Sequence, residues 1–213
     1  MQSTMPDYLP LFPLEVVLFP EMLLPLHVFE ERYKEMIAEC QQGNSPFGVL
    51  YSHDERIETI GCTAEISQLI KRYSDGRIDL VAVGRKRFQV SFFDSERAYL
   101  RASVELLPDW VGERDREASE KLARQTLDLY AQASKLMGQN HPEEPSSESS
   151  LRGLSFKLAS SLHLQNQIRQ RILEARSEDR RLEVLAEHLS ALIPQLIERQ
   201  KSAKLAGSNG HLH

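Results

Sequence analysis

The stretch Leu9–Tyr33, LPLFPLEVVLFPEMLLPLHVFEERY, decides how the rest of the chain is read. Pro10, Pro13, Pro20 and Pro25, with Pro6 just ahead, interrupt a run in which Leu11, Phe12, Leu14, Val16, Val17, Leu18 and Phe19 are almost all apolar. Proline has no N–H to give to a central ladder, so apolar segments this rich in it form short edge strands, bulges and turns against a core. Such prolines also keep a barrel edge from pairing with another chain. Beyond Pro25, the residues Phe29, Tyr33, Met36, Ile37 and Cys40 fall at helical spacing, with Glu30, Glu31, Lys34 and Glu35 toward water. The prediction is a strand, a proline-bent strand and one amphipathic helix, with Phe12, Leu18, Phe29 and Tyr33 in the core.

Working outward, Pro46 to Leu107 carries strand signals. Phe47, Val49 and Tyr51 alternate with Gly48, Leu50 and Ser52 before the polar loop Asp54-Glu55-Arg56. Ile60–Tyr73 and Arg77–Val83 meet across Ser74-Asp75-Gly76, and Asp-Gly between two β-rich runs predicts a hairpin with a type I′ turn. Gly84-Arg85-Lys86-Arg87 reads as a solvated turn or bulge before Phe88, Val90, Phe92 and Phe93; the last strand, Tyr99–Leu107, stops at Pro108. Short strands this closely spaced, with one early helix, predict a small closed or nearly closed β-barrel.

Composition shifts at Asp109–Gly112. Leu122, Thr126, Leu129, Tyr130, Ala133 and Met137 then recur at helical intervals to about Gly138. Gln139–Ser150 is a polar Pro/Ser/Glu loop, predicted to be mobile. Helical patterning resumes at Leu151, breaks near Leu164–Asn166, and restarts after Ser177, a residue suited to cap a helix; Pro194 predicts a kink in that last run. Leucine stripes of this kind build the core of a helical bundle. The expected fold class is therefore α+β: a β-rich barrel over 1–112, a helical subdomain over 113–205 with a mobile loop at 139–150, and a disordered tail at 206–213.

Composition excludes several function classes. The 213 residues carry 26 Lys+Arg against 31 Asp+Glu, net −5, and residues 1–110 hold 11 against 17. An acidic front half lacks the basic face that a phosphate-backbone reader needs, so nucleic acid is not an expected partner. No apolar run approaches the roughly 20 residues that span a bilayer, and the N-terminus has no signal pattern, so a cytoplasmic location is expected. Cys40 and Cys62 have no CxxC spacing and read as buried reduced thiols; the seven histidines are scattered, and no metal or cofactor is expected.

Three ordered blocks carry a family resemblance. PLFPL, VLFP and LPLHVFEERY closely resemble the opening of the substrate-binding domain of Lon-type ATP-dependent proteases, and more closely still that of its free-standing relatives. Gly61-Cys62-Thr63-Ala64-Glu65-Ile66 is similar to the family's G-T-x-A-x-I segment, with Cys62 departing at the threonine place. Asp75-Gly76 and LVAVGRKRFQV resemble its DG hairpin and G-x-x-R-F strand through Gly84, Arg87, Phe88 and Val90. RQRILEA, Arg169–Ala175, and Arg181-Leu182 resemble its helical KQxLLE and RL. The resemblance implies a PUA-like pseudo-barrel followed by a helical subdomain. It also implies recognition of exposed hydrophobic segments of unfolded or partly unfolded proteins or peptides, with an ATP-dependent protease as a further partner.

The catalytic parts of a Lon protease are not found in this sequence. There is no GxxxxGK[ST] phosphate loop and no Gly-x-Ser-x-Gly elbow, so no enzymatic activity is expected. Binding remains, and its candidate residues are Phe19, Pro20, Met22 and Leu23, apolar groups in a turn that would ordinarily hold Gly, Asn, Asp or Ser. Either they plug a neighbouring core or they form an exposed patch for a partner, where Met and Leu repack against varied apolar ligands. The alternative function, RNA binding by a PUA-like module, would use the basic turn Arg85–Arg87.

Overall fold

The computed structural model describes residues 8–110, 115–138 and 153–208, with side chains to residue 202. The predicted loop 139–150 and residues 209–213 lie outside them. Two compact units follow one another along the chain, Met1–Pro108 and Asp109–His213.

In the first unit β1 (Leu9–Leu14), β2 (Leu23–Val28) and α1 (Glu31–Gly43) precede β3 (Phe47–His53), β4 (Arg56–Ile57), β5 (Ile60–Arg72), β6 (Ile78–Asp94) and β7 (Arg101–Leu106). The order β1-β7-β6-β5-β3 closes on itself through a parallel β1–β3 pairing, which makes a barrel. β1 is therefore not an edge strand, although the prolines predict one. The Leu11 N–H donates to the Leu100 carbonyl on the β7 side, so Pro13 faces that side beyond the last β7 pair, Leu9↔Ala102 and Pro10↔Arg101. Pro10 faces β3 ahead of the first β3 pair, Leu11↔Gly48. Both prolines sit where the ladder has no donor to lose.

β2 matches the edge-strand expectation. Among the described residues it pairs with β6 alone, from Leu23↔Val83 to Val28↔Ile78. The Gly84 N–H to Met22 carbonyl bond sets the ladder phase, so Leu24, Leu26 and Val28 exchange bonds with β6. The backbone groups of Leu23, Pro25 and His27 point to the outer edge, where Pro25 has no N–H to offer. β2 side chains alternate, with Leu24 and Val28 buried and Leu23, Pro25 and His27 exposed.

Tyr33, Met36, Ile37 and Cys40, at helical spacing, bury one face of α1 in the main core with Phe12, Leu18, Phe47, Val49 and Leu80. Phe12 stacks on Tyr33 with ring centroids 4.2 Å apart. Phe29 departs from its predicted core place and is 61% exposed. It precedes Glu30, the N-cap of α1, so helical periodicity does not govern its direction. A second cluster, Leu9, Leu11, Leu50, Phe88 and Ala102, fills the other part of the barrel.

One local prediction changes and another takes one of its two forms. The β5–β6 hairpin exists, but only Gly76 has a positive φ (86°). The Gly76 N–H to Tyr73 carbonyl and Tyr73 N–H to Arg77 carbonyl bonds make Ser74-Asp75-Gly76 a three-residue loop with a left-handed glycine at its end, not a type I′ turn. Of the turn or bulge expected at Gly84–Arg87 the structure has the bulge: β6 runs on for 17 residues, but between the pairs Ala64↔Gly84 and Cys62↔Arg87 it takes three steps against two on β5. Its first half pairs with β2 and its second with β7, so the sequence change at Gly84 marks a change of partner.

The second unit is helical: α2 (Arg116–Leu136), α3 (Leu154–Ser161), α4 (Asn166–Glu174) and α5 (Glu178–Ser208). Asp115 caps α2 by accepting the Ala118 N–H, and Ser177 accepts the Arg180 N–H at the start of α5. α5 continues through Pro194 and takes in the first three residues of the predicted tail. The leucine stripes are core, with Leu154, Leu158, Leu162, Ile172, Leu173, Leu182, Leu185 and Leu189 all buried.

Candidate functional site

The four candidate residues occupy one tight turn and the start of β2, and the structure divides them. Phe19 is fully buried, whereas Leu23 is 61% exposed. Pro20 is half-buried, and Met22, also half-buried, packs against the main core. The turn thus realises both readings: Phe19 plugs the core, Met22 lies under the surface, and Leu23 stands on it.

The turn is held from below by β6. The Met22 N–H donates to the Phe19 carbonyl at 3.2 Å, closing a β-turn with Pro20 at its second position and Glu21, φ 62°, at its third. A non-glycine residue in that conformation is costly and persists only where its surroundings fix it. The Glu21 N–H donates to the Gly84 carbonyl at 2.8 Å, and Gly84 donates back to Met22 at 3.0 Å. A Cβ on Gly84 would lie 2.1 Å from the Phe19 carbonyl oxygen, so only glycine permits this approach. Arg85 fastens the side-chain level, its Nε 2.9 Å from Glu65 and its Nη1 3.4 Å from Glu21.

Leu23 opens an outward face on β2 and β6. Exposed Leu23 and Pro25 lie opposite half-buried Val83 and Val81. The next pair, His27↔Asp79, is polar: the Asp79 carboxylate lies 2.5 Å from His27 Nδ1 and accepts the Tyr73 hydroxyl at 2.7 Å. The His27 contact, and then the Tyr73 hydroxyl, hold the Asp79 carboxyl below the usual carboxylate range. The face is an apolar patch on a hydrogen-bonded sheet, and it offers contact area rather than a reactive group.

The two cysteines of the first unit are unreactive as well. Burial pushes the Cys40 thiol up to about 11 and the Cys62 thiol to about 12, so neither is a nucleophile at neutral pH. Among the described residues no three His, Cys, Asp or Glu side chains converge as metal ligands, and no helix is long and apolar enough to cross a membrane. The basic segment does not form the predicted RNA-binding turn: it lies inside β6, Arg85 is engaged by Glu65 and Glu21, and Arg87 is buried at 4% exposure.

In the second unit the polar centre is Arg181, 1% exposed. Its Nη1 and Nη2 donate to the two Asp109 carboxylate oxygens at 2.9 and 2.5 Å, and Nη2 also reaches Glu178 at 2.7 Å. Its Nε donates to Ser155 Oγ at 3.0 Å, Nη1 reaches the Ala175 carbonyl at 3.2 Å, and the guanidinium lies over Phe156. Glu178 also accepts the Ser155 N–H at the first turn of α3. The resemblance flagged Arg181 without assigning it a task; its task is to tie α3, α5 and the segment at Asp109 together.

The family described as the ATP-dependent protease La (LON) substrate-binding domain matches residues 8–191. The chain belongs to the Lon substrate-binding domain family. It is 30% identical over 189 residues to the Lon protease of Halothermothrix orenii, covering 81% of this chain and 23% of that protein. The Lon protease of Endomicrobium trichonymphae is 29% identical over 201 residues, 88% of this chain and 25% of that protein. The chain thus spans about a quarter of the length of these curated relatives. A Lon N-terminal domain protein from Xanthomonas campestris superposes with TM-score 0.63 at 28% identity, over 84% of this chain and 96% of that one. The N-terminal domain of Mycobacterium avium complex Lon protease, 17% identical with TM-score 0.63 over 86% and 98%, shares the fold. Within this Lon domain, the first two blocks of the resemblance meet where the Phe19–Met22 turn sits on Gly84, so the motif residues build the platform that carries Leu23.

Proposed function

We propose that this Lon-family domain is a non-catalytic protein-binding module that captures exposed hydrophobic segments of unfolded or partly unfolded polypeptides on the outward face of β2 and β6. The single observation that carries the reading is Leu23, 61% exposed on a turn that backbone bonds to Gly84 hold in place. A large aliphatic group fixed in water beside Pro25, Val81 and Val83 provides contact area with little ordering cost on binding. In this reading the module acts in the cytoplasm, where its two free cysteines stay reduced, and delivers its clients to an ATP-dependent protease.

The test is a titration of reduced, carboxymethylated lactalbumin, labelled with a fluorophore, into the purified chain. Leu23→Asp is expected to weaken binding about tenfold or more while leaving the thermal melt unchanged. Met22→Asp should weaken binding and also lower the melt, because Met22 packs against the core. Absence of binding by the wild-type chain overturns the proposal.

A further inference from the structure

Resting on that reading, the two ends of the β2–β6 face define what it selects. The cross-strand rows run in order. Leu23, Val83 and Glu65 are aligned, then Pro25, Val81 and Gln68, then His27, Asp79 and Lys71. The apolar part is thus two rows long. Successive same-face residues on a strand are about 6.7 Å apart, so this length matches two side chains at positions i and i+2 of an extended segment. A longer hydrophobic run would extend past it onto polar side chains.

Those polar ends differ. At the Leu23 end two carboxylates, Glu21 beyond the row and Glu65 at the far end of it, share the single guanidinium of Arg85. The Glu21 contact is long, 3.4 Å, and its side chain is 73% exposed, so a carboxylate stands in water next to the apolar rows. Beyond Pro25, Asp79 gives one oxygen to His27 and the other to Tyr73. Lys71 lies across from it, with its ammonium 4.3 Å from the centre of the Tyr73 ring. One end therefore has anionic acceptors to spare, and the other has a committed carboxylate beside a cation.

We infer that this face selects short extended motifs of the form apolar-x-apolar with a basic residue about two positions beyond the apolar pair on one side, that residue meeting Glu21 and Glu65. Cationic flanks are attracted at the Glu21 end, and acidic flanks are disfavoured there. The recognised feature is then a hydrophobic pair at the edge of a basic stretch, not hydrophobicity alone.

The experiment uses four unstructured 13-residue peptides with a Leu-Ser-Leu centre in Gly/Ser flanks. Two carry Lys-Lys or Glu-Glu on the amino side, and two carry the same pairs on the carboxyl side. Binding to the full chain is measured by fluorescence anisotropy in low salt, alongside labelled carboxymethylated lactalbumin. In one of the two sets the lysine peptide is expected to bind about threefold tighter than its glutamate counterpart, the size of an exposed ion pair. The preference is expected to vanish in 1 M NaCl and in Glu21→Gln/Glu65→Gln, a double variant checked for folding by its melt. Phe92→Asp, placed on an exposed residue of the other half of β6, should leave all affinities unchanged. Equal binding of lysine and glutamate peptides in both sets overturns the inference and leaves the proposed function standing. Binding of lactalbumin but of no peptide overturns the short-motif form. Binding of neither overturns the function itself.

Discussion

Two arginines, one in each unit, hold carboxylates in opposite ways. Arg181 is 1% exposed and makes bonds to Asp109, Glu178, Ser155 and the Ala175 carbonyl. The Arg85 side chain is 39% exposed and shares two carboxylates at the rim of an apolar face. Removing one partner of a buried charge network leaves the others desolvated and unmatched, whereas an exposed pair is replaced by water. The buried node therefore maintains architecture, whereas the exposed one contributes little to it.

Breaking the buried node should have the largest effect. Arg181→Ala is expected to destabilise the chain by about 3–5 kcal/mol, read as loss of helical circular dichroism at lower denaturant. The same contrast exists inside the turn. Phe19→Ala should cost about 3–5 kcal/mol through a core cavity, while Leu23→Asp at the surface stays within about 0.5 kcal/mol. If both substitutions proved equally mild, the division of the turn into plug and patch would fail. Gly84→Ala is expected to cost about 1–3 kcal/mol, because its Cβ would meet the Phe19 carbonyl and displace the turn. Neutralising the exposed node with Arg85→Gln should change stability by less than about 1 kcal/mol in chemical denaturation.

The smallest effect is alkaline. Cys40 and Cys62 have folded-state values raised to about 11 and 12 by burial, so both are protonated in the native chain where unfolded thiols ionise. Raised values give a contribution that is whole below about pH 8.5 and declines as pH climbs toward 11–12. Stability is expected to fall across that window, less so in Cys62→Ser compared with its own neutral-pH value, and Ellman's reagent should stay unreactive until the chain unfolds.

The elements around Leu9–Tyr33 were legible because proline and periodicity each limit the backbone to a few conformations. Phe12, Tyr33 and Cys40 lie in the core as their spacing predicts, and Phe29 does not because it stands one residue before the cap of α1. Gly84 read as the start of a turn or bulge, and the bulge is there. Its actual role, a close approach between β6 and a turn 65 positions earlier, is a contact in space that no local pattern encodes. The candidate turn was legible from its misplaced apolar residues, but its division was not: Phe19 and Leu23 are both large and apolar, and the seating of the turn on Gly84 of β6, a contact in space, goes with one inside and the other outside. Val81 and Val83 escaped notice for a related reason, because half-buried valines in a long strand read as core until the strand opposite them ends.

On the proposed function, Pro25 at the outer edge of β2 has a consequence of its own. The proposed binding face sits beside the outer edge of β2, and an edge with a full row of donors would let segments captured there stack on one another as new strands. With the proline in mid-edge that row has a gap, so a captured segment would rest on the face without joining the sheet. The residue that looks like a flaw in the strand would keep such a binder from becoming a seed.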